Sequence, residues 1–378
     1  MFSARHIEQA TYEMLPFRFI AGGLHPDHDT LANFRKTLLP VIKELFVQLL
    51  LLAQAAGYFE LGNISIDGSK VHANASKSKA VSYKRLVELE GQLRAEVDAL
   101  FHLAEQAAQP VPAGMAIAAE IAIRQERLTR LAAAKTVLEA RAQERYAAEK
   151  AAYDAKLRSR AEKTQLTGRK PGGRTPVAPT SAPQATDQYN FTDPESHIMK
   201  NGINAGFEQA YNAQAAVDQA SLFIVACSLS NHANDKAEVE PTLAALAPAL
   251  GTPPAAALDN GFFSPTNVAA LERRQIEPYI ATGREPHQQS WQARFAGAPE
   301  PPPADASSQV KMAYKLRTTA GKAIYRLRKC TVEPVFGIVK AVLGFRQFLL
   351  RGLAAASAEW CLMCLAYNIK RYHTLSLG

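Results

Sequence analysis

Two β-prone runs separated by only two residues constrain the fold of this chain more than any other feature. The first, FEQAYNAQAAVD, runs from Phe207 to Asp218, and the second, SLFIVACSLS, runs from Ser221 to Ser230. Gln219 and Ala220 leave room only for a tight turn, so the runs are predicted to pair as an antiparallel hairpin. A sheet therefore forms the core of this part of the chain.

A third β-prone run, NISIDGSK, spans Asn63 to Lys70. Ile64 and Ile66 alternate with polar neighbours as in a half-buried strand, and Asp67-Gly68 is predicted to end the strand with a turn. Two interpretations of this aspartate stay open: an ordinary turn residue, or a rigidly mounted carboxylate that binds a metal ion. The stretch by itself favours the turn.

The residues between the first run and the hairpin are predicted to be mostly helical. Apolar residues recur three and four positions apart on both sides of a Pro/Gly-rich break, which is the pattern of a helical hairpin with coiled-coil spacing. We assign residues 77–166 to this hairpin insert and residues 167–186 to a basic Pro/Gly-rich linker. Residues 1–60 form a separate N-terminal helical segment, in which Asp29 or Thr30 caps the second helix.

After the strand hairpin, helices and strands alternate. A helix capped by Asn234 or Asp235 precedes a short apolar run that leads into Asp259. A further helix, a strand near residues 277–283 and a helical C-terminus follow. With the insert set aside, the order is three strands, a helix, a strand ending in aspartate, a helix, a strand and a final helix.

This order predicts an α/β fold of the RNase H-like (retroviral integrase-like) type, a mixed sheet with flanking helices. The long helical hairpin is inserted between its first and second strands. The catalytic domain would comprise residues 61–76 and 187–375. In this topology the first and fourth strands are neighbours, so Asp67 and Asp259 are predicted to lie side by side.

The charge of the chain favours a polyanionic partner. The formal net charge is +8 and the predicted pI is about 9.2, and the excess is concentrated in two blocks. Between Lys311 and Arg351 ten basic residues accompany a single acid, Glu333. Nucleic acid is the partner that such a distribution indicates.

Cysteine usage and hydropathy indicate in which cellular compartment the protein is expected. Four cysteines are too few and too scattered for a disulfide framework, which favours a reducing cytoplasm. Cys361 and Cys364 lie in an apolar helical run, where buried thiols are a better interpretation than zinc ligands. We see no signal peptide and no apolar run long enough to cross a bilayer.

Three acids are candidates for catalysis. Asp67 and Asp259 end neighbouring strands, and Glu333 lies on a late helix that Val332, Val335, Phe336 and Val339 would dock on the sheet. Converging carboxylates suit Mg²⁺ or Mn²⁺, and two such ions activate an attacking oxygen and stabilise a leaving oxygen in phosphodiester cleavage.

Each acid also has a simpler interpretation. Asp259 lies in Asp-Asn-Gly, which is favourable turn chemistry, and Glu333 could only offset the cations around it. Asp218 is a rival second acid, but we expect it in the turn between the second and third strands, away from Asp67.

Several motifs together resemble a known family. They are FSARHIEQATYE, IDGSKVHANASKSKAVSY, NFTDPESHIMK followed by YNAQAAVD, ALDNGFFSP, and TVEPVFGIVKAVLGFRQFLLRG followed by AEWCLMCLAYNIKR. They are similar to DDE transposases of bacterial insertion sequences, in the IS-four and IS-five superfamily and nearest its eleven-eighty-two group. The resemblance spans nearly the whole chain.

The resemblance implies that Asp67, Asp259 and Glu333 are the catalytic, metal-binding acids. The superfamily places a lysine seven residues after its glutamate, and Lys340 fits. It also expects a tyrosine and an arginine before the glutamate, where this chain has Arg326 and Lys329; Tyr325 and Arg328 stand one position earlier.

The start of the chain departs from the family as well. Relatives carry additional N-terminal residues, thought to include DNA-binding helices, before the FSAR segment. We therefore expect a copy truncated at its N-terminus, in which residues 1–60 are the remnant of that region.

The implied activity is metal-dependent nicking at insertion-sequence ends, followed by attack of the freed 3′-OH on target DNA. Double-stranded DNA is the partner, a homodimer on paired ends is the expected assembly, and the location is the bacterial cytoplasm at the nucleoid. The alternative is an inactive, truncated remnant that binds DNA without catalysis. Expected phosphate contacts are made by Lys340, Arg328, Lys329, Lys77, Lys79, Lys84 and Arg85.

Overall fold

The computed structural model describes residues 3–106, 114–169, 172, 175–200, 206–283 and 300–377 of the chain. The chain divides into two compact units. Residues Met1–Ala75 and Ser196–Gly378 form one, here called the sheet unit, and Ser76–Glu195 form the other, the hairpin unit.

In its described residues the sheet unit is built from helices and six strands. Its helices are α1 (Ala4–Glu13), α2 (Leu15–Ile20), α3 (His28–Thr37), α4 (Leu39–Ala55), α7 (Val239–Ala244), α8 (Pro265–Arg273), α9 (Ser308–Arg317), α10 (Thr319–Gly337) and α11 (Leu353–Ser376). Its strands are β1 (Ile64–His72), β4 (His197–Lys200), β5 (Phe207–Asp218), β6 (Ile224–Ser230), β7 (Ala255–Leu258) and β8 (Glu277–Ile280). The hairpin unit holds β2 (Ala80–Ser82), α5 (Tyr83–Glu105), α6 (Ile117–Thr167) and β3 (Gln188–Asn190).

The central sheet is mixed, with β1 in its middle. β1 pairs antiparallel with β5 on one side and parallel with β7 on the other, and β8 continues the parallel part. On its far side β5 pairs antiparallel with β6 and, further along, with the short β4. The predicted hairpin and the predicted neighbourhood of the first and fourth strands are confirmed, and the arrangement is that of an RNase H-like domain.

β1 is longer than the sequence predicts. The Asp67-Gly68 pair does not turn the chain, because β1 continues to His72. The long β5 explains this difference, since it supplies backbone partners as far as His72, opposite Ala210. Pairing with β7 stops at Ile66, opposite Leu258, so Asp67 is the first residue of β1 beyond the parallel ladder.

The helices bury the apolar sides of the sheet. Trp360 of α11 is almost fully buried, stacks on Phe336 of α10 at a centroid separation of 5.9 Å, and donates from Nε1 to the Gln214 carbonyl. Phe336 also belongs to the apolar face predicted to dock α10, whose members are all buried: Val332, Val335, Phe336 and Val339. The buried apolar surface thereby fixes the helix that carries Glu333.

The hairpin unit has a small core of its own. α5 and α6 run antiparallel, as the contact of Tyr83 with Glu139 and of Glu96 with Arg124 shows. Leu86, Leu131 and Leu138 form its apolar centre. At one end β2 and β3 pair antiparallel, which the sequence does not predict, and residues 175–187 contain no helix or strand.

Several local predictions need correction. Asp27, not Asp29 or Thr30, caps α3 by accepting a hydrogen bond from the Thr30 amide. The helix predicted to follow Asn234 or Asp235 begins only at Val239, and neither side chain caps it. The C-terminal basic region forms three helices, with a π-helical turn over Ile338–Val342 after α10.

Cys361 and Cys364 are buried on α11, as predicted, and burial raises the pKa of the Cys364 thiol. None of the described helices combines the length and the apolar character needed to span a membrane.

Candidate active site

Asp67 lies in the middle of β1, where β5 pairs with it opposite Ala215. Its Oδ1 accepts a hydrogen bond from the Gly68 amide at 2.8 Å, and its side chain is 21% exposed. A carboxylate mounted on a paired strand has little freedom to move. This rigidity suits a group that must meet others at a fixed position.

Asp259 follows β7 directly. Because β7 runs parallel to β1 and pairs Leu258 with Ile66, the two aspartates leave the parallel ladder at the same level. Oδ1 of Asp259 accepts from the Asn260 amide at 2.6 Å and starts a 3-10 turn over Asn260–Phe262. The residue is therefore both the turn residue that its local sequence indicates and a neighbour of Asp67.

Arg328 of α10 reaches the first aspartate from the helix. Its Nη1 donates to Oδ2 of Asp67 at 2.9 Å, and its Nη2 lies 3.6 Å from Oε1 of Glu333. The side chain is only 5% exposed, and its guanidinium carbon lies 5.9 Å from the centre of the Tyr325 ring. A buried cation therefore connects two of the three candidate acids.

The charges of this cluster act on one another. Burial raises the pKa of Asp67 to about 6, Arg328 and the Gly68 amide oppose that rise, and Asp259 and Asp235 add to it. Burial alone would lower the pKa of the Arg328 guanidinium, but Asp67 and then Asp259 raise it above its usual value. The mutual effects indicate that Asp67, Asp259 and Arg328 form one electrostatic unit.

Glu333 is the most exposed of the three acids, with 54% of its side chain accessible. Its charged partner is Arg328 of the same helix, which also pairs with Asp67. Arg328 thereby links the Glu333 carboxylate to Asp67, and the exposed fraction leaves this carboxylate open to a ligand.

Lys340 lies in the π-helical turn that follows α10. Its Nζ donates to Oγ of Ser69 at 2.6 Å and to the Lys70 carbonyl at 2.9 Å, and burial lowers the pKa of its ammonium group. The residue is thus anchored to β1, two and three positions beyond Asp67. Lys329, next to Arg328 on α10, is exposed.

The remaining predicted DNA-binding residues belong to the hairpin unit. All four are exposed, and Arg85 forms an ion pair with Glu88 at 3.2 Å. They are Lys77, Lys79, Lys84 and Arg85. Asp193 belongs to the same unit and is buried. The DNA-binding role of the four basic residues stays a prediction.

Asp218 has a structural task elsewhere. Its carboxylate accepts from the backbone amides of Gly62, Ala220 and Ser221 and from the Ser221 hydroxyl. It lies opposite Ile64, at the start of β1, whereas Asp67 lies opposite Ala215. The turn that it stabilises is the one that the sequence predicts.

Asp235 is an acid of this region that the sequence analysis treats only as a helix cap. The residue precedes α7, and its carboxylate turns toward β1 and β5, where it accepts hydrogen bonds from Lys70, Asn212 and Gln214. The local sequence carries no signal for these long-range contacts. The glycines at positions 68 and 261 are an indirect signal, because a Cβ atom at either position would lie close to the Asp235 carboxylate.

The donor set suits a hard divalent cation in chemistry, because carboxylate oxygens are the ligands that Mg²⁺ and Mn²⁺ prefer. Burial is the main cause of the raised pKa of Asp67, and the charge of Asp259 adds to it. In the conformation described, however, no three acidic, histidine or cysteine side chains of the described ranges stand close enough together to hold a metal ion. Arg328 supplies the positive charge between Asp67 and Glu333.

Comparison with known proteins gives one match. A family model described as "Transposase DDE domain" matches residues 178–369, which include Asp259, Arg328, Glu333 and Lys340 but not Asp67. No curated protein matches the chain, and no solved structure does.

Proposed function

The chain belongs to the family of the transposase DDE domain, and from this premise we propose that it is a DNA transposase whose catalytic acids are Asp67, Asp259 and Glu333. The observation that carries the proposal is the pairing of β1 with β7, which makes the first two acids neighbours. Arg328 then connects Asp67 with Glu333.

The reaction is metal-dependent hydrolysis of a phosphodiester at the ends of an insertion sequence, followed by strand transfer. Asp67, Asp259 and Glu333 would hold Mg²⁺ or Mn²⁺, two ions in all, and the bound metal supplies Lewis-acid stabilisation of the attacking and leaving oxygens. The freed 3′-OH of the element end then attacks target DNA.

The protonation state of Asp67 sets a condition on this chemistry. With a pKa of about 6 the carboxyl is mostly ionised at neutral pH and mostly protonated below pH 5. Only the ionised form is a good ligand for a divalent cation. Arg328 keeps the carboxyl ionised, because its charge opposes the effect of burial.

We propose that basic residues near the three acids bind the DNA backbone. Lys329 is exposed and adjacent to the cluster along α10, and Lys340 is fixed beside β1 through Ser69. Arg328 can reach a phosphate only by releasing Asp67, so we propose that it does so when a cation replaces its charge. Phosphate contacts position DNA and carry no sequence information.

We assign the element to the eleven-eighty-two-like group of the IS-four and IS-five superfamily, on the motifs quoted above. The expected assembly is a homodimer on paired DNA ends, to which the hairpin unit contributes, and the expected place of action is the bacterial nucleoid. Residues 77–166 would serve as the hairpin insert and residues 61–76 with 187–375 as the catalytic domain.

Nicking of a supercoiled plasmid tests the proposed function. Relaxed circles should accumulate with Mg²⁺ or Mn²⁺ for the unaltered chain and not for Asp67→Ala, Asp259→Ala or Glu333→Ala. Asp305→Asn, which removes an exposed acid of the sheet unit, is the matched control and should nick normally. Plasmid binding without nicking above the Asp67→Ala background would favour the alternative, a remnant that binds DNA without catalysis.

A further inference from the structure

An irregular segment, residues 344–352, lies between the π-helical turn and α11. Its first and last residues are glycines with positive φ angles, +75° at Gly344 and +83° at Gly352. Other residues rarely adopt such angles, so glycine fits both ends. We call these residues the arginine segment, because they include Arg346 and Arg351.

The arginine segment is bonded to the end of β1. The His72 amide donates to the Arg346 carbonyl at 3.2 Å, and the Phe348 amide donates to the His72 carbonyl at 2.8 Å. Nδ2 of Asn74 donates to the Leu349 carbonyl at 2.7 Å. These three bonds give the segment a fixed position beside the strand that carries the first proposed catalytic acid.

A buried carboxylate of α11 holds the same segment. Glu359 is only 5% exposed, and it accepts from the Leu349 amide at 3.1 and 3.0 Å and from the Leu350 amide at 3.0 Å. Burial of a carboxylate costs free energy even where hydrogen bonds offset part of that cost. The result of this burial is a single defined conformation for a segment on the protein surface.

Both arginines of the segment are exposed. Nε of Arg346 donates to the Lys340 carbonyl at 3.2 Å, and Nε of Arg351 donates to the Asn74 carbonyl at 3.1 Å. Within the described ranges neither guanidinium forms an ion pair or a second hydrogen bond. The Nε bond therefore orients each guanidinium and leaves its other donors for a ligand.

The arginine segment begins close to the proposed active site. Lys340, which is anchored to β1 by its Nζ, accepts at its carbonyl from Arg346. His72, which is bonded to the segment, follows Asp67 by five positions, or about 17 Å of strand. A DNA duplex advances about 3.4 Å per base pair, so this length corresponds to about five base pairs.

We propose that Arg346 and Arg351 bind backbone phosphates of duplex DNA beside the phosphodiester that is cut at Asp67, and that Glu359 positions both arginines through the segment. This inference rests on the proposed function. A guanidinium offers paired donors that match the oxygens of a phosphate. Since phosphate contacts are electrostatic and independent of base sequence, their loss should weaken binding to any duplex and reduce its salt dependence.

Binding of the full chain to a fluorescent duplex of about 30 base pairs tests the proposal. Anisotropy is measured in EDTA, so that no strand is cut, over about 50 to 200 mM NaCl. Arg346→Gln and Arg351→Gln should each reduce the slope of log K against log salt by about 0.9, and the double variant should reduce it by about 1.8.

Two further variants serve as controls. Arg273 is also exposed, and its Nε also donates to a carbonyl, that of Ala269 at 3.3 Å. It lies at the end of α8, before β8, whose first residue pairs with Ala255 at the end of β7 remote from Asp259. Arg273→Gln should therefore keep the slope. Arg346→Lys retains the charge and should keep it too, which separates a lost contact from a folding defect.

Three results would overturn the proposal. They are no binding of the duplex by the unaltered chain, an unchanged slope in the double variant, and a slope in Arg273→Gln that falls as far as in Arg346→Gln.

The failure of this inference can be told apart from that of the transposase assignment. If the slope falls as expected but the unaltered chain nicks no plasmid, the phosphate contacts stand and the assignment is wrong. If the plasmid is nicked in an Asp67-dependent way and the slope ignores both arginines, the assignment stands and the arginine segment is only structural.

Discussion

Nη1 of Arg328 and Oδ2 of Asp67 lie 2.9 Å apart, although 261 positions separate the two residues in the chain. The guanidinium is nearly inaccessible and its Nε has no hydrogen-bond partner among the described residues. Such a pair forms only when α10 docks on β1, so it reports the assembly of the candidate site from its two ends.

Replacing Arg328 by methionine should destabilise the metal-free protein by about 3 kcal/mol at pH 7.5, because a buried carboxylate loses its partner. Urea unfolding in the presence of EDTA measures the effect. Arg85→Met, which breaks an exposed ion pair with Glu88, is the matched control and should cost less than about 1 kcal/mol. Equal midpoints for both variants would contradict a buried, stabilising pair.

The stability of the metal-free protein should depend on pH through Asp67. The folded-state pKa of about 6 lies above the ordinary value of 3.8, so the contribution of this group is fully present below about pH 4 and is lost as pH rises through 6. The loss amounts to about 3 kcal/mol. Asp67→Asn has no such titration.

The measurement is the difference in unfolding free energy between the unaltered chain and Asp67→Asn, from pH 4 to pH 7.5 in EDTA. This difference should shift in favour of Asp67→Asn as the pH increases. A difference that stays constant over the range would show that Asp67 titrates normally.

Gly68→Ala should destabilise the protein by about 2 kcal/mol, since the new methyl group overlaps the Gln214 amide and crowds Asp235. Gly91→Ala is the control, because Gly91 lies inside α5 with open space around it and should stabilise the protein by up to about 1 kcal/mol. Thermal unfolding of both variants checks the prediction. A neutral Gly68→Ala would mean that the Asp235 network yields easily.

Trp360→Phe should cost about 2 kcal/mol, because the Gln214 carbonyl loses its donor in a buried site and the stack on Phe336 shrinks. The larger truncation Trp360→Ala should cost about 4 kcal/mol. Denaturant unfolding followed by far-ultraviolet circular dichroism gives both values. If Trp360→Phe were the more harmful of the two, packing would not explain the role of Trp360.

Periodicity predicts those parts of the fold in which apolar patterns agree with tertiary contacts. The β5–β6 hairpin, the neighbourhood of β1 and β7, and the docking face of α10 follow from alternation and from the order of the elements. A short turn or a buried helix face leaves few alternative arrangements.

Local sequence signals give the wrong secondary structure where a strand distant in the sequence determines the pairing. Asp67-Gly68 has turn chemistry, but β5 offers backbone partners beyond it, and the strand continues. β2, β3 and β4 have three or four residues each, too few for a pattern, and form because a partner strand is present. Tertiary pairing overrides local preference at these positions.

The candidate site divides in the same way. Asp67, Asp259 and Glu333 could be proposed from element order and from the resemblance, since each stands at a recognisable position. The inward turn of Arg328 and the contacts of Asp235 depend on side chains that meet across the sheet and leave no local trace in the sequence. An exposed lysine such as Lys329 looks the same in sequence as a buried arginine beside it.

The continuation of β1 past Asp67 has a consequence for motion. Residues on both sides of this aspartate are locked into ladders with β5, so its amide should exchange with solvent only when the sheet opens. Glu333 reaches the cluster from a helix surface with half of its side chain in solvent. The first acid is then the fixed reference of the site, and any change in the spacing of the acids when a substrate arrives is made by the helix side.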